Sequence, residues 1–252
     1  MAFLDDIVEL KMQESRLARS FNVVSPSHDK LRRRSLVEAV KSASGVALIA
    51  EAKRASPTEG RIADYDIVEA AKTFEVHGVS AVSVLTDHKY FGGSIEDLDL
   101  VKKAVDLPVL RKDFIVDKIQ LTEALLHGAD AVLLIAAILG ARTVEFVDAA
   151  HEMGLECLLE VHGESDVNFA LKSSARLIGV NNRDLRTLNV DLSTFERVAP
   201  LIPKDRLLVA ESGIRTRDDV ARMREAGADA VLIGSSIMKS PDIAEKLKEL
   251  TS

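Results

Sequence analysis

HGADAVLLIA, residues 127–136, decides the fold. Its glycine sits where a helix should stop, because a left-handed residue after the last turn is the usual way out of a helix. The run AVLLIA (131–136) then stays apolar without alternating, which fits a strand covered on both faces, as in a parallel sheet under helices. The same phrase returns as HGVSAVSVL (77–85) and AGADAVLIG (226–234), a weak internal repeat of one helix-to-strand unit.

Working outward, such runs occur eight times: VALIA (46–50), AVSVL (81–85), PVLRK (108–112), AVLLIA (131–136), CLLEV (157–161), LIGVN (177–181), RLLVAE (206–211) and AVLIG (230–234). Amphipathic stretches separate them. Glu69–His77, Gln120–His127 and Val144–Met153 each end at a glycine: Gly78, Gly128 and Gly154. Eight strands alternating with helices predict an α/β fold, a closed (β/α)8 TIM barrel, over residues 46–252. Residues 1–45 precede it as an extra N-terminal helical segment, with LRRRSLVEAV (31–40) packed across one end and residues 20–30 leading in. One domain is expected, since α/β barrels routinely fill 250 residues.

Composition narrows the function. The net charge of −7 argues against a nucleic-acid binder, which needs a basic surface to displace counterions from phosphates. The acidic start MAFLDDIVELK does not resemble a basic secretory n-region, and no apolar run reaches membrane-spanning length. Cys157 is the only cysteine and lies in the apolar LECLLEV (155–161), so it reads as a core thiol in a reducing compartment. The reading is a cytoplasmic enzyme without a membrane, nucleic-acid or obligate protein partner. The six histidines, His28, His77, His88, His127, His151 and His162, show no metal-ligand spacing, and no dinucleotide fingerprint is present, so no metal and no cofactor are implied.

Barrel enzymes carry their chemistry at the C-terminal strand ends and the loops that follow. Those windows hold Glu51, Lys53 and Ser56 in EAKRASPTEG, then Lys112 and Asp113, then Glu160. Farther on come Asn181, Asn182 and Arg183, Glu211 and Ser212, and Gly234 and Ser235. Any one of them has a structural reading, since barrel mouths contain ordinary ion pairs. Together they supply acids, bases and anion-binding groups. ESGI (211–214) and LIGSSI (232–237) offer glycine amides and serine hydroxyls near helix starts, the usual phosphate position of such barrels. Gly213 and Gly234 also suit plain tight turns. The partner expected here is a phosphorylated small molecule.

With those windows in place, the chain resembles the indole-3-glycerol-phosphate synthases over nearly its whole length. The resemblance rests on EAKRASP (51–57), VLTDHKYFGGS (84–94), PVLRKDFIVD (108–117), NNRDL (181–185), VAESGI (209–214) and IGSSIM (233–238), in family order and spacing. It implies a carboxy-lyase of tryptophan biosynthesis. The substrate is 1-(2-carboxyphenylamino)-1-deoxyribulose 5-phosphate, converted to indole-3-glycerol phosphate with loss of carbon dioxide and water.

By the same resemblance Lys112 is a general acid toward the ketone, Glu160 the base and Lys53 an acid in the dehydration. The split between the two lysines stays open in the sequence. Glu51 orients and charges them, Asn181 and Arg183 stand near the reacting centre and the anthranilate part, and Ser56 and Glu211 bind substrate. Ser212, Gly213, Gly234 and Ser235 match the phosphate side. Phe114 and Leu133 suit either an apolar wall or plain core.

Two departures stand out. Thr58 and Glu59 follow the Ser-Pro pair where relatives carry serine and then lysine or glycine, which puts a negative charge into that loop. Ala52 replaces a larger residue, implying more space inside the barrel. A neighbouring reading, a phosphosugar isomerase using a cysteine–aspartate pair, meets Cys157 at the wrong end of its strand. A silent barrel that binds phosphorylated ligands without turnover is opposed by Lys53, Lys112 and Glu160 standing together.

Overall fold

Each of the eight apolar runs forms a strand: β1 (Ala47–Ala52), β2 (Ala81–Leu85), β3 (Val109–Lys112), β4 (Ala131–Ile135), β5 (Glu156–Val161), β6 (Leu177–Asn181), β7 (Leu207–Glu211) and β8 (Ala230–Ile233). This computed structural model describes residues 3–20, 32–58, 60–62 and 65–251. All eight strands pair in parallel and in chain order, and β8 closes on β1, with Ala47 opposite Ala230. The result is a TIM barrel ringed by helices. Glu59 and residues 21–30 of the expected lead-in lie outside the described residues.

The continuous apolar runs make sense because every strand has two covered faces. Odd and even positions go to different cores. Ala50, Ala52, Val82, Val84, Leu134 and Leu159 face the surrounding helices, whereas Ala47, Ile49, Ala81, Leu110, Leu133 and Leu158 fill the barrel. This parity corrects the expectation for Ala52. Its side chain lies on the helix side of β1, so its small size opens no room in the barrel interior. Cys157 is likewise buried on the helix side, where burial pushes its thiol well above the usual range.

The N-terminal segment holds two helices, α1 (Phe3–Ser20) and α2 (Leu36–Lys41). α2 is the plug expected from LRRRSLVEAV: Ser35 caps it by accepting from the Glu38 amide, and Leu36, Val37 and Val40 pack onto the inward residues at the strand starts. Burying three such side chains contributes roughly 1.5–3 kcal/mol each. α1 did not stand out in the sequence. It packs near the other end of the barrel, where buried Lys11 forms ion pairs with Asp87 at 2.9 Å and Asp113 at 3.0 Å. Asp113 is the residue after Lys112, so this helix braces the end of β3. Among the described residues no helix is long and apolar enough to cross a membrane.

Candidate active site

The inward parity that builds the core also builds the site, because on most strands the last or next inward position is polar. On β1 it brings Glu51 and then Lys53 to the mouth, on β3 Lys112, on β5 Glu160, on β6 Asn181 and on β7 Glu211. Ser56, Phe114 and Arg183 from the following loops line the same pocket, as do Ser212, Gly213, Gly234 and Ser235. Every residue given a catalytic or binding role from the sequence therefore lines one cavity, whereas Asn182 does not.

The charged groups form a connected set. Glu51 holds Lys53 at 3.0 Å through Oε1 and stands 3.8 Å from Lys112 through Oε2, so one carboxylate serves both ammonium groups. Lys112 also lies 3.6 Å from Glu211. Burial opposes charge on Lys112, but Glu211, Glu51 and Glu160 around it raise its affinity for the proton above that of an ordinary lysine. Burial likewise opposes ionisation of Glu51, and Lys53 followed by Lys112 overcomes it, holding the carboxyl below its usual range. For Glu160 the opposition from burial is overcome first by His162 and then by Lys112, so it too is an anion at neutral pH. Glu211 goes the other way. Burial and the nearby Glu160 charge push it up to about 8, and both of its oxygens are buried without a hydrogen-bond partner among the described residues. Two carboxyl groups with opposite shifts in one cavity mark a site built for proton transfer.

Two glycines make this crowding possible. A methyl group at Gly179 on β6 would land on the Glu211 carboxylate, and one at Gly234 would land on that of Glu51. Gly234 thus does more than turn the chain. It also precedes a short helix, Ser235–Met238, whose start carries no side-chain cap. The β7 side differs from the sequence expectation. Its next helix, Arg217–Glu225, begins only after Thr216, and a capping box from Thr216 and Asp219 already uses its first amides. What β7 offers instead is a tight turn in which Ser212 and Gly213 both have positive φ, 64° and 82°, with Ser236 Oγ donating across to Ile214 O at 3.3 Å. A left-handed serine is uncommon and is retained at ligand-binding turns.

Arg183 is tied into its loop: its backbone N–H donates to Asn181 Oδ1 at 2.9 Å and its guanidinium to Leu188 O at 2.9 Å. Part of its fork is therefore used in shaping the loop. Asn182, flagged in the same window, is structural; its side chain donates to Ser212 O and accepts from the Phe195 amide, joining the β6 and β7 loops. Sequence reasoning missed Arg215, which brings a further cation to the β7 and β8 edge of the pocket, and most of the apolar wall, where Leu85, Phe91, Leu185, Leu188 and Val190 join Phe114 and Leu133. Phe91 and Phe114 lie 6.2 Å apart, centroid to centroid, as a tilted pair. The cavity therefore has an apolar side, a charged floor and, at β7 and β8, an edge of backbone turns and hydroxyls.

Comparisons with known proteins agree with this geometry. The family model described as "Indole-3-glycerol phosphate synthase" matches residues 5–250. The indole-3-glycerol phosphate synthase of Dehalococcoides mccartyi strain CBDB1 is 49% identical over 210 residues, covering 81% of each chain. That of Halalkalibacterium halodurans is 42% identical over 252 residues, covering 98% of this chain and 96% of its own. Among solved structures, a thiamine phosphate pyrophosphorylase from Pyrococcus furiosus superposes with a TM-score of 0.61 at 17% identity, over 81% of this chain and 93% of that one. That likeness extends to the barrel fold alone.

Proposed function

This chain belongs to the indole-3-glycerol phosphate synthase family, and from that membership we propose how its barrel mouth divides the work. The activity is that of a carboxy-lyase of tryptophan biosynthesis. It closes the ring of 1-(2-carboxyphenylamino)-1-deoxyribulose 5-phosphate, then removes carbon dioxide and water to give indole-3-glycerol phosphate.

In our reading Lys112 protonates the ketone oxygen as the aromatic carbon attacks it. The carboxylate leaves as carbon dioxide and the ring regains its aromaticity. Lys53 then protonates the departing hydroxyl, and Glu160 takes the proton from the carbon beside the nitrogen to complete the pyrrole. Glu51 orients Lys53 and helps keep Lys112 charged, Asn181 and Arg183 hold the reacting centre and the anthranilate carboxylate, and Ser56, Glu211 and Phe114 shape the substrate's seat. Ser212, Gly213, Gly234 and Ser235 receive the phosphate. The supporting observation is the placement of one carboxylate between two ammonium groups, one just after β1 and one at the end of β3, with Glu160 across the barrel on β5. Acid and base then act on opposite sides of a flat substrate. The proposal extends to a single barrel domain with a helical extension, working in the cytoplasm without an obligate protein partner.

The two lysines can be separated by timing carbon dioxide release against indole emission in a single turnover; the chain has no tryptophan to mask the signal. Lys112→Met should abolish both events. Lys53→Met should keep carbon dioxide release and slow indole formation by about 10²–10⁴-fold. The reverse pattern would exchange their roles.

A further inference from the structure

The residue after β5 is His162, two positions beyond Glu160. Its Nε2 stands 3.2 Å from Glu160 Oε1, and its Nδ1 stands 3.6 Å from Asp166 Oδ2. Asp166 belongs to the helix Glu164–Ala170, and the same Oδ2 accepts the His162 backbone N–H at 2.9 Å. Both ring nitrogens and Glu160 Oε1 are shielded from solvent and have no aligned hydrogen bond among the described residues. The imidazole is thus wedged between two carboxylates, one per nitrogen. A neutral ring would present a lone pair to one of them, whereas the imidazolium carries a proton on each nitrogen and is attracted to both.

The wider surroundings favour the charged ring. Asp184 in the β6 loop adds negative charge, Glu211 on β7 adds it only above about pH 8, and Lys112 on β3 faces the Glu160 carboxylate. Burial works against the charge, but Asp166 and Glu160 raise the proton affinity of the ring well above that of a free histidine. Glu160 lines the substrate cavity and His162 does not, so any effect of His162 on the reaction passes through Glu160.

We propose that His162, braced by Asp166, is a positioning residue that fixes the orientation of the Glu160 carboxylate and keeps it an anion between turnovers. This rests on the reading of Glu160 as the base. Removing the cation makes the carboxylate easier to protonate, so the pH below which the base is lost moves up.

The test is the pH profile of kcat for the wild type, His162→Gln and Glu160→Gln, with thermal unfolding of each. His162→Gln should shift the acid limb of kcat upward by about one pH unit or more, with little change in KM, so that its deficit grows as pH falls and shrinks as pH rises. A purely structural role would lower kcat equally at every pH and leave the limb where it was; that result would overturn the proposal. Should His162→Gln fold poorly, an imidazole NMR titration of the wild-type enzyme decides. A ring still charged at pH 8 supports the proposal, and one that titrates near 6.5 overturns it. Retained turnover in Glu160→Gln would instead sink the assignment of Glu160 as the base. An inactive Glu160→Gln beside an unshifted His162→Gln would sink only the role of His162.

Discussion

The two ends of this barrel are built from the same strands and treat charge in opposite ways. At the N-terminal end, Asp130 accepts from Lys102 at 2.6 and 2.7 Å and from the Arg34 and Val109 amides. Glu156 there accepts from Ser35 Oγ and the Val37 amide as α2 closes the bottom. Those carboxylates are spent on structure. At the C-terminal end, Glu160 Oε1 and both Glu211 oxygens are buried without a hydrogen bond among the described residues, and two lysines share Glu51. Buried polar atoms left short of hydrogen bonds destabilise a fold and are kept where a ligand or a reaction uses them. One end holds the barrel shut, and the other is held open by it.

If that division is right, damage to the closed end should show in stability and damage to the open end in turnover. Asp130→Ala strands the buried Lys102 ammonium and should cost about 3–5 kcal/mol in denaturant unfolding. Below its melting range the variant should keep a wild-type kcat. Gly179→Ala pushes against Glu211 from β6 and should lower kcat by about 10²-fold, the usual penalty for a misplaced group, with the substrate assay as the readout. The smallest effect is the most diagnostic of the contrast. Glu211→Gln removes a carboxyl crowded by burial and by Glu160, so it should raise stability at pH 8 while turnover falls.

The pH dependence of that last gain follows from linkage. Folded Glu211 holds its proton up to about 8, whereas the unfolded chain loses it near the ordinary value of 4.5. Stability contributed by the protonated form is complete below 4.5 and is lost as pH rises toward and through 8. The melting temperatures of Glu211→Gln and the wild type should therefore be similar at low pH and separate across that window. Parallel curves would mean that Glu211 is not under the strain inferred for it.

The fold was legible because both faces of a parallel strand are buried, which turns each strand into a run that no surface helix imitates. The site was legible for a related reason, since Lys112, Glu160 and Glu211 interrupt apolar runs at a strand end where a plain core would carry none. What escaped notice depends on contacts distant in sequence. Lys11 reads as one more lysine on the polar helix FLDDIVELKMQESRLARS and becomes a buried anchor only because Asp113 folds against it. His162 read as one of six scattered histidines, because its two partners matter only once β5 and the following helix are in place. Ala52 needed its parity: between Glu51 and Lys53, both facing inward, it must face out. The capping box at Thr216 and Asp219 was present in the sequence as a threonine three residues before an acid, and would have moved the helix start away from Ser212.

The most direct check on the division of labour is Glu160→Gln, with turnover by indole emission and thermal unfolding measured on one preparation. Turnover should fall by about 10²–10⁴-fold while the variant stays folded at the assay temperature, with only a modest drop in melting temperature from the lost pairing with His162. Retained turnover, or a loss of activity that tracks a loss of fold, would contradict it.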